Sequence, residues 1–317
     1  MENKKKISLN YTVLNIDEGS RVDKIAAEQF SEFSRAHIQN WIKEGNLLLN
    51  GKKIKAKHAV QTADIISVSF WEEPHIEDQP EDISLEIIFE DEDLIVINKP
   101  QGLVVHPGSG NKTGTLVNAL LSHDKNLSFL PRAGIVHRLD KDTSGLMVVS
   151  KIESAYLDLI KQLKERSVKR TYQALVVGNV ISSKIIDEPI GRHPKIRTKQ
   201  AVIGSGKEAI TRFRLSESYE GYSLLTVNLE TGRTHQIRVH LSHAGFPIIG
   251  DPVYGSRNKF SSGTGEQLKK IIASFGRQAL HAAELELIHP TTKEMINFKV
   301  DLPMDMQSLI EKLKDGN

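Results

Sequence analysis

The most informative stretch of the sequence is Gly134-Ile135-Val136-His137-Arg138-Leu139-Asp140-Lys141-Asp142-Thr143-Ser144-Gly145-Leu146. Apolar residues flank its polar centre, which predicts two short strands joined by a turn. A carboxylate at a strand end beside a glycine-containing turn is exposed and held in place. Asp140 is therefore a candidate nucleophile or general base. The alternative is an Asx turn, in which the Asp140 side chain binds its own backbone.

The second informative stretch is Leu229-Glu230-Thr231-Gly232-Arg233-Thr234-His235-Gln236-Ile237-Arg238-Val239-His240. It predicts a strand that ends at a turn containing Gly232, followed by a helix that Thr234 caps and that carries Arg238. An arginine beside Asp140 would keep that carboxylate ionised and orient it. The alternative is a helix whose basic side chains are only solvated.

Helices and strands are interspersed irregularly in the chain beyond residue 85. Strands are predicted at residues 93–98, 145–150, 171–177, 210–215, 224–229 and 280–287, and helices at residues 116–123 and 155–166. Strict βαβ alternation is absent. The pattern therefore favours the α+β class, with a mixed or antiparallel sheet, over a doubly wound sheet.

The first 70 residues predict a separate small α/β unit. Apolar spacing predicts a helix over residues 21–30, and a second helix begins after Ser34 and ends at Gly45, which suit the N-cap and C-cap positions. A strand then enters an Asn50-Gly51 turn, and another short strand is predicted at residues 65–70.

Charge is distributed unevenly along the 317 residues. The net charge is only +2, yet residues 71–100 contain eleven acidic residues and one lysine. The acidic segment at residues 76–85 is therefore predicted to be a linker that does not contact nucleic acid, because it would repel phosphates.

The composition excludes several kinds of site. The chain has no cysteine, which excludes a thiolate nucleophile, a cysteine-ligated zinc ion and an iron–sulfur cluster. Its histidine-rich segment 235–243 lacks the pattern of a zinc protease, and residues 106 and 111 are not the glycines that a phosphate loop requires. No apolar run approaches the roughly 18 residues of a membrane span. We expect no metal site, no membrane association and a cytoplasmic location.

Four ordered motifs resemble the RluA-type family of pseudouridine synthases. They lie at residues 137–145 (His-Arg-Leu-Asp-x-x-Thr-Ser-Gly), 169–174 (Lys-Arg-Thr-Tyr-x-Ala), 231–240 (Thr-Gly-Arg-Thr-His-Gln-Ile-Arg-x-His) and 250–255 (Gly-Asp-Pro-Val-Tyr-Gly). The N-terminal unit resembles the small RNA-binding module of ribosomal small-subunit protein four. Gly191-Arg192-His193-Pro194 is typical of the branch that modifies large-subunit ribosomal RNA.

The resemblance implies a domain organisation and a partner. It implies an S-four-like RNA-binding domain at residues 1–75, the acidic linker at residues 76–85 and a pseudouridine synthase catalytic domain at residues 86–317. The implied partner is large-subunit (23S) ribosomal RNA, free or in a pre-ribosomal particle, and we expect a monomer. The residues expected to contact this RNA outside the active site are Arg35, Lys43, Lys52, Lys53, Lys55 and Arg192.

The resemblance also implies a chemistry that needs no cofactor. Such enzymes flip a uridine out of the RNA, break its glycosidic bond, rotate the uracil and rejoin it through carbon. Asp140 is then the catalytic carboxylate, Arg238 its ion-pair partner, Tyr172 the ring that stacks on the base, and Arg138 the side chain that fills the vacated space. Whether Asp140 attacks the ribose or removes a proton to give a glycal stays open. The residues expected to bind the substrate are His137, Arg138, Thr143, Ser144, Arg233, His235 and Gln236.

Two other functions compete with this interpretation. A non-catalytic RNA-binding or ribosome-assembly factor would keep the fold, but it would be expected to lose Asp140, which this chain retains together with Arg238 and Tyr172. A uracil 5-methyltransferase would usually need a cysteine nucleophile and a methyl-donor site, and the chain has neither a cysteine nor a glycine-rich nucleotide motif.

Overall fold

The computed structural model describes residues 4–72, 76, 78–108, 110–196, 198–255 and 260–315. Within these residues, no helix is both long enough and apolar enough to span a membrane.

The N-terminal part is a three-stranded antiparallel sheet with two helices packed on it. Its elements are β1 (Lys5–Thr12), α1 (Val22–Gln29), α2 (Arg35–Glu44), β2 (Leu47–Leu49) and β3 (Ile65–Glu72), with strand order β1-β3-β2. Helix α2 has the predicted caps: the Ser34 hydroxyl accepts the His37 N–H at 3.1 Å, and Gly45 adopts the left-handed conformation with φ 84°. A core of its own, centred on Trp41, stabilises this part of the chain.

The larger part is built on one nine-stranded mixed sheet. Its strands are β4 (Glu86–Glu90), β5 (Leu94–Lys99), β6 (Ser144–Ser150), β7 (Lys169–Val177), β8 (Lys184–Asp187), β11 (Ile210–Tyr219), β12 (Tyr222–Leu229), β13 (Leu280–Ile288) and β14 (Met295–Lys299). The order is β4-β5-β6-β13-β7-β12-β11-β8, with β14 paired to β13. Only the β6–β13 pair is parallel among the described pairs of this sheet, and β9 (Ile190–Arg192) and β10 (Gln200–Val202) form a separate hairpin. The predicted α+β class with a mixed sheet is confirmed.

Helices cover both faces of this sheet. They are α3 (Leu116–His123), α4 (Glu153–Lys164), α5 (Gln236–His243), α6 (Glu266–Ser274) and α7 (Met304–Asp315). Side chains of a strand alternate between faces, so Ile95 and Ile97 pack in the main core with α3, α5, α6 and α7, whereas Leu94 and Val96 pack in a second core with α4. Burial on both faces explains the continuous apolar run of β5.

The two parts of the chain are in direct contact. The Ser34 hydroxyl donates to Glu153 Oε1 at 2.8 Å, and His37 Nδ1 pairs with the other oxygen of the same carboxylate. The start of α2 therefore lies against the start of α4. The contacts of His37 and Ser34 lower the pKa of the half-buried Glu153 even though burial alone would raise it.

Part of the predicted linker is held against the larger part of the chain. The Asn118 amide donates to the Gln79 carbonyl at 2.7 Å, and Glu81 accepts the Gly114 N–H at 2.9 Å. Residues 73–75 and 77 lie outside the described residues. The domain boundaries at 75 and 85 stay predictions.

The prediction of a strand before Asp140 is wrong. Residues Pro131–Gly134 form a kinked 3-10 helix in which Arg132 and Ala133 have positive φ, and only one bridge, Ile135 to Val149, joins the following residues to the sheet. A β-carbon at Gly134 would lie 1.9 Å from the Ser150 carbonyl oxygen, so this segment passes directly against β6. The Val148 N–H of β6 then donates to His137 Nε2 at 3.0 Å, so a side chain replaces the backbone pairing that would continue a strand.

A test of this packing is the substitution Gly145→Ala. Gly145 has φ 114°, and an added β-carbon would lie 2.2 Å from the Ala282 carbonyl oxygen of β13. We expect a loss of about 3 kcal/mol or more in the free energy of unfolding, because both strain and a backbone clash arise. Urea denaturation measures this loss.

The matched control is Gly245→Ala. Gly245 also has positive φ, 88°, but nothing lies within 4 Å of its added β-carbon. The Gly245→Ala variant should therefore lose only about 1 kcal/mol in the free energy of unfolding, which is the cost of a left-handed backbone alone. Equal losses in the two variants would contradict the steric role of Gly145.

Candidate active site

Asp140 lies in the turn that leads into β6. The turn is closed by the backbone, with the Thr143 N–H donating to the Asp140 carbonyl at 3.1 Å. The carboxylate itself faces outward from the turn, is 19% exposed, and accepts a hydrogen bond from Arg238 Nη1 at 2.8 Å. Among the hydrogen bonds of the described residues, none joins this carboxylate to backbone, so the Asx-turn alternative is wrong.

Arg238 lies in the first turn of α5. The predicted cap at Thr234 is wrong: the helix begins at Gln236, and His235 before it adopts the left-handed conformation with φ 58°. The Gln236 amide closes the loop instead, because its Oε1 accepts from the Thr231 hydroxyl at 2.8 Å and from the Arg233 N–H at 3.0 Å. This geometry points the buried Arg238 side chain at Asp140.

A second carboxylate holds Arg238 from the other side. Asp251 accepts from Arg238 Nε at 2.8 Å and from Nη2 at 2.9 Å, a bidentate pair in which both side chains are at least 95% buried. Its Oδ1 also accepts the backbone N–H groups of Val253 and Tyr254 at 2.8 and 3.0 Å. Burial alone would raise the pKa of Asp251, but the contacts of Arg238 lower it below its usual value.

His235 and Tyr254 complete the polar side of the site. His235 Nε2 lies 4.0 Å from Asp140 Oδ1, and its Nδ1 lies 2.8 Å from the Tyr254 hydroxyl. The Arg238 guanidinium lies 5.2 Å from the centre of the Tyr254 ring, a cation–π contact. Burial lowers the pKa of His235, although the charge of Asp140 opposes this. The imidazole is therefore neutral at pH 7.

Tyr172 forms the floor of a cleft beside Asp140. The cleft has a volume of about 350 Å³, and its apolar wall comprises Leu139, Leu229, Ile237 and Leu280. Tyr172 is 5% exposed, and burial raises the pKa of its hydroxyl, so it is uncharged at neutral pH. A cleft with apolar and aromatic side chains on one wall and polar side chains beside them suits a heterocycle attached to a polar group.

The structure brings together most, but not all, of the residues predicted to bind substrate. Those that line the cleft with Asp140, Tyr172 and Arg238 are Arg138, Thr143, Arg233, His235 and Gln236. Ser144 is buried outside it and pairs with His281 Nδ1 at 2.9 Å. His137 lines an adjoining cleft, where its Nε2 accepts the Val148 N–H at 3.0 Å.

The residues predicted to contact RNA elsewhere do not line this cleft. Lys43, Lys52, Lys53, Lys55 and Arg192 are exposed. Arg35 is half-exposed and donates twice, at 3.1 Å, to the buried carboxylate of Asp23. Within the described residues there is also no group of three or more metal-ligating side chains.

Sequence reasoning assigned no role to Asp251, Tyr254 or Lys99. The first two lie in the fourth motif, which was the available signal. Lys99 is fully buried, and its ammonium donates to the carbonyl oxygens of Pro100, Leu103 and Lys141 at 2.7 to 3.0 Å. Burial lowers the pKa of Lys99 to about 8, against the opposing charges of Asp142 and Asp140. The hydrogen bonds of Lys99 link the end of β5 to the turn that carries Asp140.

The substitution Asp251→Asn tests the buried pair. Breaking such a pair typically costs about 3–5 kcal/mol, because Arg238 is left buried with incomplete compensation. We expect a loss of that order in urea denaturation at pH 7. Exposed Asp187 provides the control, because Asp187→Asn should change the free energy of unfolding by less than about 0.5 kcal/mol.

The pH dependence follows from the lowered pKa of Asp251. A carboxylate whose pKa is lower in the folded than in the unfolded chain stabilises above the unfolded value, about 4, and this contribution is lost as the pH falls through the folded value. The difference between wild type and Asp251→Asn should therefore shrink below about pH 4. A constant difference down to pH 2 would contradict the ion-pair role.

Comparison with known proteins agrees with the sequence motifs and the fold. The family model of RNA pseudouridylate synthases matches residues 93–243, and the S4 domain model matches residues 20–66. A protein of Xanthomonas campestris pv. campestris named ribosomal large subunit pseudouridine synthase D is 46% identical over 299 residues, covering 94% of this chain and 90% of that protein. The protein of the same name from Escherichia coli strain K12 is 44% identical over 310 residues, covering 98% and 95%.

Solved structures give the same result. The human protein RNA pseudouridylate synthase domain containing 4 matches with a TM-score of 0.58 and 29% identity, covering 72% of this chain and 92% of that one. The human protein RNA pseudouridylate synthase domain containing 1 matches with a TM-score of 0.53 and 25% identity, covering 73% and 94%. Given the extent of the similarity to the curated relatives, this chain belongs to the RluA-type family of RNA pseudouridylate synthases.

Proposed function

We propose that this pseudouridine synthase acts on uridines of large-subunit ribosomal RNA, with Asp140 as its catalytic carboxylate. The observation that carries the assignment of Asp140 is its ion pair with the buried Arg238 at the edge of the cleft that contains Tyr172. The substrate is supported by the names of the relatives, which are large-subunit pseudouridine synthases at 42 to 46% identity.

Arg238 prepares Asp140 for this role by orienting its carboxylate. The hydrogen bond from Arg238 occupies Oδ2 and leaves Oδ1 on the side of His235. Attack on the anomeric carbon of the ribose and removal of a ribose proton both require such an oriented carboxylate oxygen.

The cleft positions the uracil while its glycosidic bond is exchanged. The base must leave the RNA stack to reach Asp140, which costs a few kcal/mol in a duplex and less in a loop. The buried Tyr172 ring offers a stacking surface, and the exposed Arg138 is placed to fill the space that the base leaves. The apolar side chains of this cleft offer contacts to the detached uracil while it rotates and its carbon joins the ribose.

The N-terminal domain supplies contacts away from the reaction. Lys43, Lys52, Lys53 and Lys55 are exposed cations that suit contacts to phosphate oxygens, which add affinity without reading sequence. We propose that the substrate is free large-subunit RNA or an assembling particle in the cytoplasm, and that the enzyme acts as a monomer.

The first test is tritium release from large-subunit RNA labelled at carbon 5 of uracil. Asp140→Asn should abolish release while binding the same RNA with a Kd within about threefold of wild type, because the amide keeps the shape but not the charge. Urea denaturation of the variant serves as the folding control. Release by the variant at the wild-type rate would contradict the role of Asp140, and binding without release by wild type would indicate a non-catalytic RNA-binding factor.

The second test is the triple substitution Lys52→Ala, Lys53→Ala and Lys55→Ala. Each lost phosphate contact should reduce the slope of log K against log salt by roughly 0.7–0.9. We expect weaker RNA binding with a shallower slope, and an unchanged rate of a saturated single turnover. The control is a triple substitution of Lys293, Lys299 and Lys312, exposed lysines of the catalytic part paired with acidic residues. An unchanged slope in the first triple variant would contradict the phosphate contacts.

A further inference from the structure

Arg170 is a buried cation for which the described residues provide no partner. It is only 8% exposed, and no described residue accepts a hydrogen bond from its enclosed Nε. Within the part of the chain that the structure describes, its guanidinium also forms no ion pair. A buried charge normally requires a counter-charge or hydrogen bonds, since its desolvation is expensive. Two other arginines among the described residues have comparable burial, and both have carboxylate partners: Arg238 pairs with Asp251, and Arg277 pairs with Asp305.

The Arg170 side chain lines an open cleft that adjoins the site of Asp140 and Tyr172. This second cleft has a volume of about 1250 Å³. Its basic lining residues are Arg132, Arg138, Arg170 and Arg233, with His106 and His137 beside them, and Asp140 is the one acidic residue among those described in its wall. Such a wall attracts anions.

The adjacent residue Gly232 leaves room for this guanidinium. A β-carbon at Gly232 would lie 2.9 Å from Arg170 Nη1, and the backbone of Gly232 does not have positive φ. Gly232 therefore leaves space beside Arg170 Nη1 where the loop before α5 passes the cleft, and a larger residue there would require the guanidinium to shift.

Arg170 and Tyr172 also have a fixed spacing. They lie on β7 two residues apart, so both side chains face the same side of the sheet about 7 Å apart along the strand. A base stacked on Tyr172 thus places the phosphates of its own backbone near the guanidinium. The planar guanidinium forms paired hydrogen bonds with phosphate oxygens.

We propose that Arg170 binds a phosphate that flanks the flipped uridine and so anchors that nucleotide in the active site. This inference rests on the proposed function, because it requires an RNA substrate at Asp140. The phosphate supplies the missing counter-charge, so the unpaired cation of the free enzyme is compensated only when RNA is bound. Arg170 is a substrate-binding residue that acts on the backbone and not on the base.

The first experiment compares stability with activity in Arg170→Met. Methionine has a similar length and no charge, so the free enzyme should be as stable as wild type or more stable in urea denaturation. Its kcat/KM for tritium release should fall about 10- to 100-fold, the loss expected for a hydrogen-bonded charge. Arg170→Lys should recover part of this loss. A destabilised Arg170→Met with unchanged kcat/KM would overturn the proposal.

The matched control is Lys169→Met. Lys169 is the preceding residue of β7, is exposed, points to the opposite face and pairs with Glu286. The Lys169→Met substitution removes the same charge from the same strand. The kcat/KM of this variant should stay within about twofold of wild type. An equal loss in both variants would indicate a general effect of charge and would overturn the specific role of Arg170.

The decisive experiment neutralises the phosphates one at a time. A synthetic stem-loop that contains a uridine modified by wild type carries a single methylphosphonate on the 5′ or the 3′ side of that uridine. One of these two methylphosphonates should lower kcat/KM about 10- to 100-fold for wild type. The same methylphosphonate should lower it less than twofold for Arg170→Met, because the guanidinium that binds this phosphate is already missing. Equal losses for both enzymes at both positions would overturn the proposal. If wild type releases no tritium from any RNA, the proposed function itself fails, which is a distinct result.

Discussion

The geometry of the candidate active site depends on the ion pairs of the buried Arg238 guanidinium. This guanidinium lies between two carboxylates, that of the buried Asp251 and that of Asp140 at the edge of the cleft. Asp251 binds Nε and Nη2 and is itself held by two backbone N–H groups of its own turn. Only Nη1 is left for Asp140, so the fold itself determines the direction from which Arg238 binds this carboxylate.

The sheet places the Asp140 turn against this arginine. Buried Lys99 bonds the carbonyl of Lys141 from the end of β5, and the Gln278 amide donates to the Thr143 hydroxyl at 3.0 Å. Gly145 permits the close approach of β6 to β13. These contacts come from distant parts of the chain and constrain the few residues between Asp140 and β6. The partly exposed carboxylate therefore has a rigid support, which positioning for catalysis requires.

The two adjoining clefts meet at Asp140 and Tyr172, which line both of them. The Tyr172 ring offers a surface for a base, whereas Arg170 lies in the second cleft, where its charge suits the backbone of the same nucleotide. The unpaired Arg170 is unfavourable for the free protein and becomes favourable with a phosphate bound. Violations of local stability rules of this kind are expected where a protein binds its ligand.

The sequence alone predicted much of this protein. Local patterns predicted both caps of α2, the helix at Leu116–His123 and the class of the fold, because these depend on neighbouring residues. Motifs also indicated Asp140, Arg238 and Tyr172 as one site, although residues 140 and 238 lie far apart in the chain and residue spacing could not show that they meet.

Only the tertiary structure decided the rest. The segment before Asp140 makes a single bridge to β6 because the Val148 N–H of that strand donates to the His137 side chain. Helix α5 begins after His235 because the Gln236 side chain accepts a hydrogen bond from Thr231. The roles of Asp251 and Lys99, and the absence of a described partner for Arg170, depend on which atoms are within reach after folding. Hydrogen bonding and burial are properties of three-dimensional neighbours, so a one-dimensional pattern does not contain them.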